Sequence, residues 1–135
     1  MYRYGVKSGL RSDPGTWRDE RQRRGLEGER RAIRFLEARG WEVMAHRFRV
    51  GRIEIDLVAR RGPLVAFIEV KVRRSAAFGS PLEAVTWSKQ RELTRAAHAW
   101  VDRFGRPGDV YRFDCIGIAG GRLAHVEDAF RPGWR

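Results

Sequence analysis

Alternating apolar and polar residues predict a β-hairpin in the middle of the chain. From Ile53 to Val58 apolar and acidic residues alternate, which is the period of a strand with one apolar and one polar face. Arg61-Gly62-Pro63 has the composition of a turn, and Leu64 to Val72 is a second run rich in apolar and β-branched residues. We therefore expect an antiparallel hairpin within residues 52–73.

The hairpin register decides whether its charged residues share a face. Asp56 lies on the polar face of the first strand, and Glu69 and Lys71 share a face of the second. A two-residue loop, Arg61-Gly62, would place Asp56 opposite Phe67, whereas a four-residue loop would place it opposite Glu69. Diagonal neighbours lie about 7 to 8 Å apart, so either register lets the two carboxylates share an ion. A three-residue loop without a bulge would separate them.

Helical periodicity predicts one helix before the hairpin and one after it. The first spans Leu26 to Arg39 and ends at Gly40, and the second spans Lys89 to Phe104 with Ser88 as its N-cap. Glu29 lies on the apolar stripe of the first helix, so it should face the sheet. Two interpretations of Glu29 stay open: a partly buried carboxylate paired with an arginine, or a member of a catalytic or metal site.

The remaining segments complete the sheet. Their patterns predict a strand from Trp41 to His46, a loop over residues 73–87, and a second hairpin with strands Val110 to Ala119 and Arg122 to Glu127. This order of elements predicts an α/β fold in which a mixed β-sheet is flanked by helices.

Composition and charge then narrow the class of partner. The 135 residues fit one domain, with 1–24 as a disordered basic tail, 25–130 as the domain and 131–135 as a C-terminal tail. The 28 Lys and Arg against 17 Asp and Glu give a charge of +11, which favours a polyanion, with nucleic acid first and an acidic membrane surface as the rival. The first 24 residues lack the apolar core of a signal peptide, and no run approaches the roughly 18 apolar residues of a spanning helix. We expect a cytoplasmic protein without a membrane partner.

Cysteine and histidine add little to the chemistry. Cys115 lies in an apolar strand without a partner cysteine, so core packing is its expected role. His46, His98 and His125 lack metal-ligand spacing, and we give them no catalytic weight.

The carboxylates of the hairpin suit phosphodiester chemistry. Asp56 and Glu69, with a backbone carbonyl such as that of Val70, offer the oxygen ligands that Mg²⁺ prefers, and Mn²⁺ is an alternative. Lys71 lies two residues beyond Glu69, where an ammonium can activate water and stabilise negative charge. The simpler alternative is that Glu69 and Lys71 only neutralise each other on a solvated face. Lys89, in the first turn of a helix, is either part of a phosphate-binding corner or an ordinary solvated charge.

These residues resemble the PD-(D/E)xK nuclease superfamily, and the wider pattern is similar to the YraN-like family of small bacterial proteins related to Holliday-junction resolvases. The matching segments are Gly28-Glu29, Glu54-Ile55-Asp56-Leu57, Phe67-Ile68-Glu69-Val70-Lys71, Arg73, Phe78-Gly79, Val85-Thr86, Lys89-Gln90 and Arg112-Phe113-Asp114. Ile53 departs from the pattern, because the family commonly has glycine there.

The resemblance implies a restriction-endonuclease-like core with named site residues. Asp56 and Glu69 would be metal ligands, Lys71 the catalytic lysine and Glu29 an additional acidic residue from the first helix. Lys89 and Gln90 gain weight as substrate-binding residues, together with Arg73, which begins the loop leaving the acidic strand.

Our interpretation is a metal-dependent endonuclease acting on DNA, including branched or junction DNA, with binding through phosphates rather than base sequence. Two alternatives stay open: a nucleic-acid binding module that keeps the fold without turnover, and a basic adaptor for an acidic protein. A homodimer is also open, because many related nucleases pair up, but nothing in the chain identifies a dimer face.

Overall fold

The computed structural model describes residues 20–73 and 85–132 and has the expected α/β architecture. Its elements are α1 (Glu20–Glu37), β1 (Glu42–Val50), β2 (Ile53–Arg61), β3 (Leu64–Arg73), α2 (Trp87–Phe104), β4 (Val110–Ala119) and β5 (Arg122–Phe130). The five strands form one sheet in the order β1-β2-β3-β4-β5. Strands β3 and β4 are parallel and the other neighbours are antiparallel, so the core is a restriction-endonuclease-like mixed sheet flanked by helices.

The two helices cover opposite faces of the sheet. Alternate residues of β3 show this, because Val65 and Phe67 pack in the cluster that contains α2, whereas Ala66 and Ile68 pack in the cluster that contains α1. The parallel pairing of β3 with β4 requires a crossover, and α2 is that crossover. No helix within residues 20–73 or 85–132 is long and apolar enough to cross a membrane.

Both helices begin earlier than the sequence pattern predicted. Helix α1 starts at Glu20, so residues 20–24 are helical rather than part of the tail, and residues 1–19 lie outside the described residues. Ser88 is not the N-cap of α2: the cap is Thr86, whose Oγ1 accepts a hydrogen bond from the backbone N–H of Lys89 at 3.2 Å. Thr86 and Ser88 both carry a hydroxyl group suited to capping a helix, and the sequence pattern alone led to the wrong choice between them.

Strand β1 is longer than predicted and switches faces in its middle. The strand continues to Val50, and Arg47 within it has a φ of 60°. Residues two apart normally share a face, yet His46 contacts α1 whereas Phe48 packs in the cluster of α2. Their partners in β2 follow them, because Leu57 pairs with His46 and packs on the α1 side, and Ile55 pairs with Phe48 and packs on the α2 side. Both strands therefore change faces at the same level.

The hairpin register is the one that places Asp56 opposite Glu69. Strands β2 and β3 pair from Arg61 and Leu64 to Leu57 and Ile68. The turn is therefore Gly62-Pro63, one position later than the two-residue loop Arg61-Gly62, and the predicted four-residue loop is not needed for this register. Ile53, where the resembling family commonly has glycine, pairs with Val50 without a register shift. The loop predicted over residues 73–87 is too long at both ends, because Arg73 belongs to β3 and Trp87 to α2. Residues 74–84, with the segment Phe78-Gly79, lie outside the described residues, as do 133–135.

A close approach between α1 and β3 depends on a glycine. A Cβ atom built on Gly28 would collide with Cγ2 of Val72, a stiff β-branched side chain that cannot move aside easily. Gly25, one turn earlier on the same helix, has nothing within 4 Å of its Cβ position. The two glycines therefore make a matched pair for testing the packing of α1.

We expect Gly28→Ala to lower the free energy of unfolding by about 1–3 kcal/mol, because the added methyl group forces α1 away from Val72. Gly25→Ala should instead raise it by up to about 1 kcal/mol, since alanine favours a helix. Urea unfolding of both variants and of Gly28→Ala/Val72→Ala, which removes the collision, is the measurement. Equal stability of the two single variants would contradict this packing.

Candidate functional site

Asp56 lies where the ladder between β2 and β3 ends. The last pair of that ladder is Leu57 with Ile68, and beyond it the Asp56 Oδ2 accepts a hydrogen bond from the backbone N–H of Val70 at 2.8 Å. The N–H and C=O of one strand residue point to the same neighbouring strand, so the Val70 carbonyl also faces β2. The carboxylate and this carbonyl therefore lie at one gap in the sheet.

Glu69 and Lys89 complete the group around Asp56. Oε2 of Glu69 lies 3.6 Å from Nζ of Lys89 in the first turn of α2, whereas Oε1 is buried without a hydrogen-bond partner among the described residues. Burial, followed by repulsion from Glu69, raises the pKa of Asp56 well above its usual value. Burial also raises the pKa of Glu69, although the charge of Lys89 opposes the shift. The structure thus brings two mutually repelling carboxylates together, with Lys89 in contact with one of them.

The donor set fits a hard divalent cation in an open site. Residues 20–73 and 85–132 contain no group of three or more His, Cys, Asp or Glu placed to hold a metal ion. Asp56, Glu69 and the Val70 carbonyl supply oxygen atoms only, and Mg²⁺ and Mn²⁺ accept such ligands with water in the remaining positions. A cation there would satisfy the buried Oε1 of Glu69 and relieve the repulsion that raises the pKa of Asp56.

The other predicted site residues have different surroundings. Lys71 is exposed, and its charge opposes the rise in the pKa of Glu69, so it lies near that carboxylate. Gln90 donates from Nε2 to the carbonyl of Val85 at 3.2 Å and thereby supports the start of α2. Arg73, at the end of β3, lines a groove against α1.

Glu29 is buried beside Asp56 but is held by two basic residues. Its Oε1 accepts a hydrogen bond from Nε of Arg47 at 2.7 Å and lies 2.7 Å from Nε2 of His46. Burial alone would raise the pKa of Glu29, but the hydrogen bonds of His46 and Arg47 outweigh it and the pKa is lowered. The charge of Glu29 also contributes to the raised pKa of Asp56. Glu29 therefore influences the pair of carboxylates from the α1 side.

Sequence reasoning missed the roles of two histidines. His46 contacts Glu29, and His125 lies 2.8 Å from Oδ2 of Asp114, a buried carboxylate that also accepts two hydrogen bonds from Arg112. No sequence spacing marks such contacts, because the partners lie on different elements. Cys115 is buried in the core as predicted, and burial raises the pKa of its thiol to about 12.

Comparison with known proteins identifies relatives along most of the chain. The profile of the uncharacterised protein family UPF0102 matches residues 28–118. A UPF0102 protein of Caldicellulosiruptor saccharolyticus is 42% identical over 94 residues, covering 70% of this chain and 80% of its own length. A UPF0102 protein of Myxococcus xanthus is 37% identical over 118 residues, covering 84% and 94%. That of Halorhodospira halophila is 39% identical over 118 residues, covering 87% and 95%.

Glu29→Gln should destabilise the fold because it removes the negative charge that the largely buried guanidinium of Arg47 contacts at 2.7 Å. Breaking one side of a buried ion pair costs about 3–5 kcal/mol, and we expect a loss near the lower end because glutamine keeps a hydrogen-bond acceptor. Glu27→Gln, on the exposed side of α1, is the matched control and should change stability little. Denaturant midpoints of the two variants check this, and comparable losses would contradict it.

Asp56→Asn should be more stable than the wild type at neutral pH in the presence of EDTA. Because the folded pKa of Asp56 is raised above the ordinary 3.8, the folded state holds the proton more tightly than the unfolded state. Wild-type stability is therefore lost as the pH rises from 3.8 through the folded pKa, and this loss is absent in the variant. Asparagine can still accept the Val70 N–H. Thermal unfolding midpoints at acidic and neutral pH are the measurement.

The advantage of Asp56→Asn should disappear well below pH 3.8, where both side chains are uncharged. Adding Mn²⁺ at neutral pH should raise the midpoint of the wild type more than that of the variant. A variant that is less stable than the wild type at neutral pH without metal would refute the electrostatic description of the site.

Proposed function

This chain belongs to the uncharacterised protein family UPF0102, the YraN family, and we propose that it is a metal-dependent endonuclease that hydrolyses phosphodiester bonds in DNA. The observation that carries the proposal is the pair of carboxylates, Asp56 and Glu69, half-buried together at a gap in the sheet, with one buried Glu69 oxygen, Oε1, left without a partner among the described residues. Burying such a pair costs stability, and a bound cation offsets that cost.

Asp56, Glu69 and the carbonyl of Val70 would hold Mg²⁺ or Mn²⁺. When bound, such an ion lowers the pKa of a water molecule and neutralises charge on the phosphoryl oxygens. The exposed ammonium of Lys71 is free to orient the attacking water and to stabilise the negative charge that develops on the phosphate. Glu29 acts through its charge on Asp56, because its Oε1 is engaged by His46 and Arg47.

Substrate contacts follow from the basic residues around these carboxylates. Lys89 lies at the start of α2, where free backbone N–H groups also favour an anion, and Gln90 fixes that helix start. Arg73 follows Lys71 on β3 and extends the basic surface. Such contacts bind phosphates without reading bases, which suits a substrate chosen by its shape, such as branched or junction DNA, in the cytoplasm.

Lys71→Ala is expected to reduce cleavage about 10²- to 10⁴-fold, the range that a positioned proton-transfer group supplies. The assay uses supercoiled, single-stranded and four-way-junction DNA with Mg²⁺ or Mn²⁺, and Asp56→Asn should abolish metal-dependent cleavage. Arg106→Ala is the matched control, because it removes one exposed positive charge at the opposite end of the sheet and should leave the rate unchanged.

The outcomes separate the three functional classes. Cleavage that is lost in Lys71→Ala and kept in Arg106→Ala supports the endonuclease. If wild type and variants are all inert but bind DNA in a salt-sensitive way, the chain is a binding module and the endonuclease proposal fails. If DNA binding is also absent, a basic adaptor for an acidic protein replaces both.

A further inference from the structure

A groove lined by arginines lies between α1 and the ends of β3 and β4. Its volume is about 610 Å³, and we call it the arginine groove. Five arginines line it against a single acidic residue, Glu27: they are Arg24, Arg30, Arg31, Arg34 and Arg73. No step of the proposed chemistry uses the four that belong to α1.

The groove is held open by contacts that do not consume its charge. Nη1 and Nη2 of Arg31 donate to the carbonyls of Gly120 at 3.0 Å and Gly121 at 2.9 Å, which ties the turn between β4 and β5 to α1. Gly28 and Val72 pack against each other along the groove. Its walls are therefore fixed before any ligand arrives, which reduces the entropy cost of binding.

The exposed arginines of the groove retain donors for a ligand. The side chains of Arg30 and Arg34 are exposed and form no hydrogen bond or ion pair with residues 20–73 or 85–132. Nη2 of Arg24 lies 3.8 Å from Oε2 of Glu20, one turn earlier on the helix. Such an exposed ion pair contributes little to stability. Like charges gathered along one groove repel each other, and an anion that bridges them removes this cost.

The groove begins beside the candidate cleavage site. Arg73 is two residues beyond Lys71 and four beyond Glu69 at the same end of β3, and it lines the groove. The groove lies on the α1 face of the sheet and Glu69 faces Lys89 of α2, so a polyanion in the groove reaches the carboxylates by passing around the end of β3, where Arg73 lies.

We propose that the arginine groove binds the phosphate backbone of a single nucleic-acid strand that leads away from the cleavage site. That the strand leads away from a cleavage site rests on the proposed nuclease function, whereas the choice of a phosphate backbone as ligand rests on the groove itself. Guanidinium groups bind phosphate oxygens through paired N–H donors. A volume of about 610 Å³ is that of a small-ligand site, so it admits a few phosphates of one strand rather than the width of a duplex.

A membrane surface fits the groove less well. Peripheral helices bind lipid by burying an apolar face in the bilayer while basic residues meet the headgroups. The apolar face of α1, with Ile33 and Leu36, is already buried against the sheet. The basic residues also line a concave surface, which suits a strand better than a flat array of headgroups.

The test measures binding of a fluorescent thymidine oligonucleotide to the full chain in EDTA, by anisotropy across a salt series. Arg30→Ala/Arg34→Ala removes two groove charges, and Arg103→Ala/Arg106→Ala removes the same charge from exposed positions at the far end of α2. Losing two single-strand phosphate contacts should reduce, by about 1.4, the steepness with which the logarithm of the association constant falls with the logarithm of the salt concentration. Binding should weaken roughly tenfold at about 0.15 M salt. The control pair should change both quantities much less.

Several results would overturn the inference. Equal losses in the two double variants would mean that only the overall charge matters, and an unchanged slope in the groove variant would remove the site. Groove-dependent binding to phosphatidylglycerol vesicles, with oligonucleotide binding unaffected, would assign the groove to a membrane. Matching circular dichroism and unfolding midpoints verify that every compared variant is folded.

The nuclease proposal and the groove can fail separately. Asp56→Asn should bind the oligonucleotide as the wild type does while losing cleavage, and the groove variant should cleave at an unchanged maximal rate but with a raised KM. Groove-dependent binding by a chain that never cleaves would end the endonuclease proposal and leave the groove assignment intact. Cleavage with an unchanged KM in the groove variant would end the groove assignment alone.

Discussion

The hydrogen bond from the backbone N–H of Val70 to the carboxylate of Asp56 is the contact on which the candidate site depends. Beyond Leu57 and Ile68 the ladder between β2 and β3 stops, and a buried N–H without a partner would be costly there. A side chain that replaces the missing backbone partner must lie in the gap itself. The contact therefore both completes the sheet and fixes a carboxylate at its opening.

The surroundings of Asp56 are energetically unfavourable for its carboxylate, and the rest of the fold must offset this cost. Repulsion from Glu69 and Glu29 adds to burial in raising the pKa of Asp56. The φ of 60° at Arg47 is a further cost, since residues other than glycine rarely adopt it. That conformation accompanies the face switch of β1 and the placement of Arg47 on Glu29. The strained backbone of Arg47 and the repelling carboxylates thus lie at one level of the sheet, as is typical of functional sites that lower the stability of a fold.

The sequence predicted those features that local patterns determine. The hairpin of β2 and β3 followed from alternation, and the bounds of β4 were predicted correctly because an apolar run ends at Gly120. The face switch at Arg47 was not predictable, because one unusual φ leaves no mark in a pattern of hydrophobicity. Thr86 and Ser88 could not be ranked as caps, since both are favoured residue types.

Long-range charge pairs were equally hidden, because their partners lie on different elements. The arginine groove could have been predicted from the sequence only in part. Arginines at positions 24, 30, 31 and 34 fall within one broad stripe of a helix, but the stripe was obscured because residues 20–24 were assigned to the tail. The groove also needs Arg73 and the turn at Gly120, which only the folded sheet brings to α1.

The parallel pairing of β3 and β4 explains why the basic residues gather at one end of the molecule. A crossover helix between parallel strands must start near the end of the first strand and run back toward its beginning. Helix α2 therefore starts on the side of the sheet where β3 ends, and its first turn places Lys89 beside Glu69. Helix α1 crosses the other face, and its arginines meet Arg73 at that same end. Topology, rather than any sequence motif, thus sets cations on both sides of the two carboxylates.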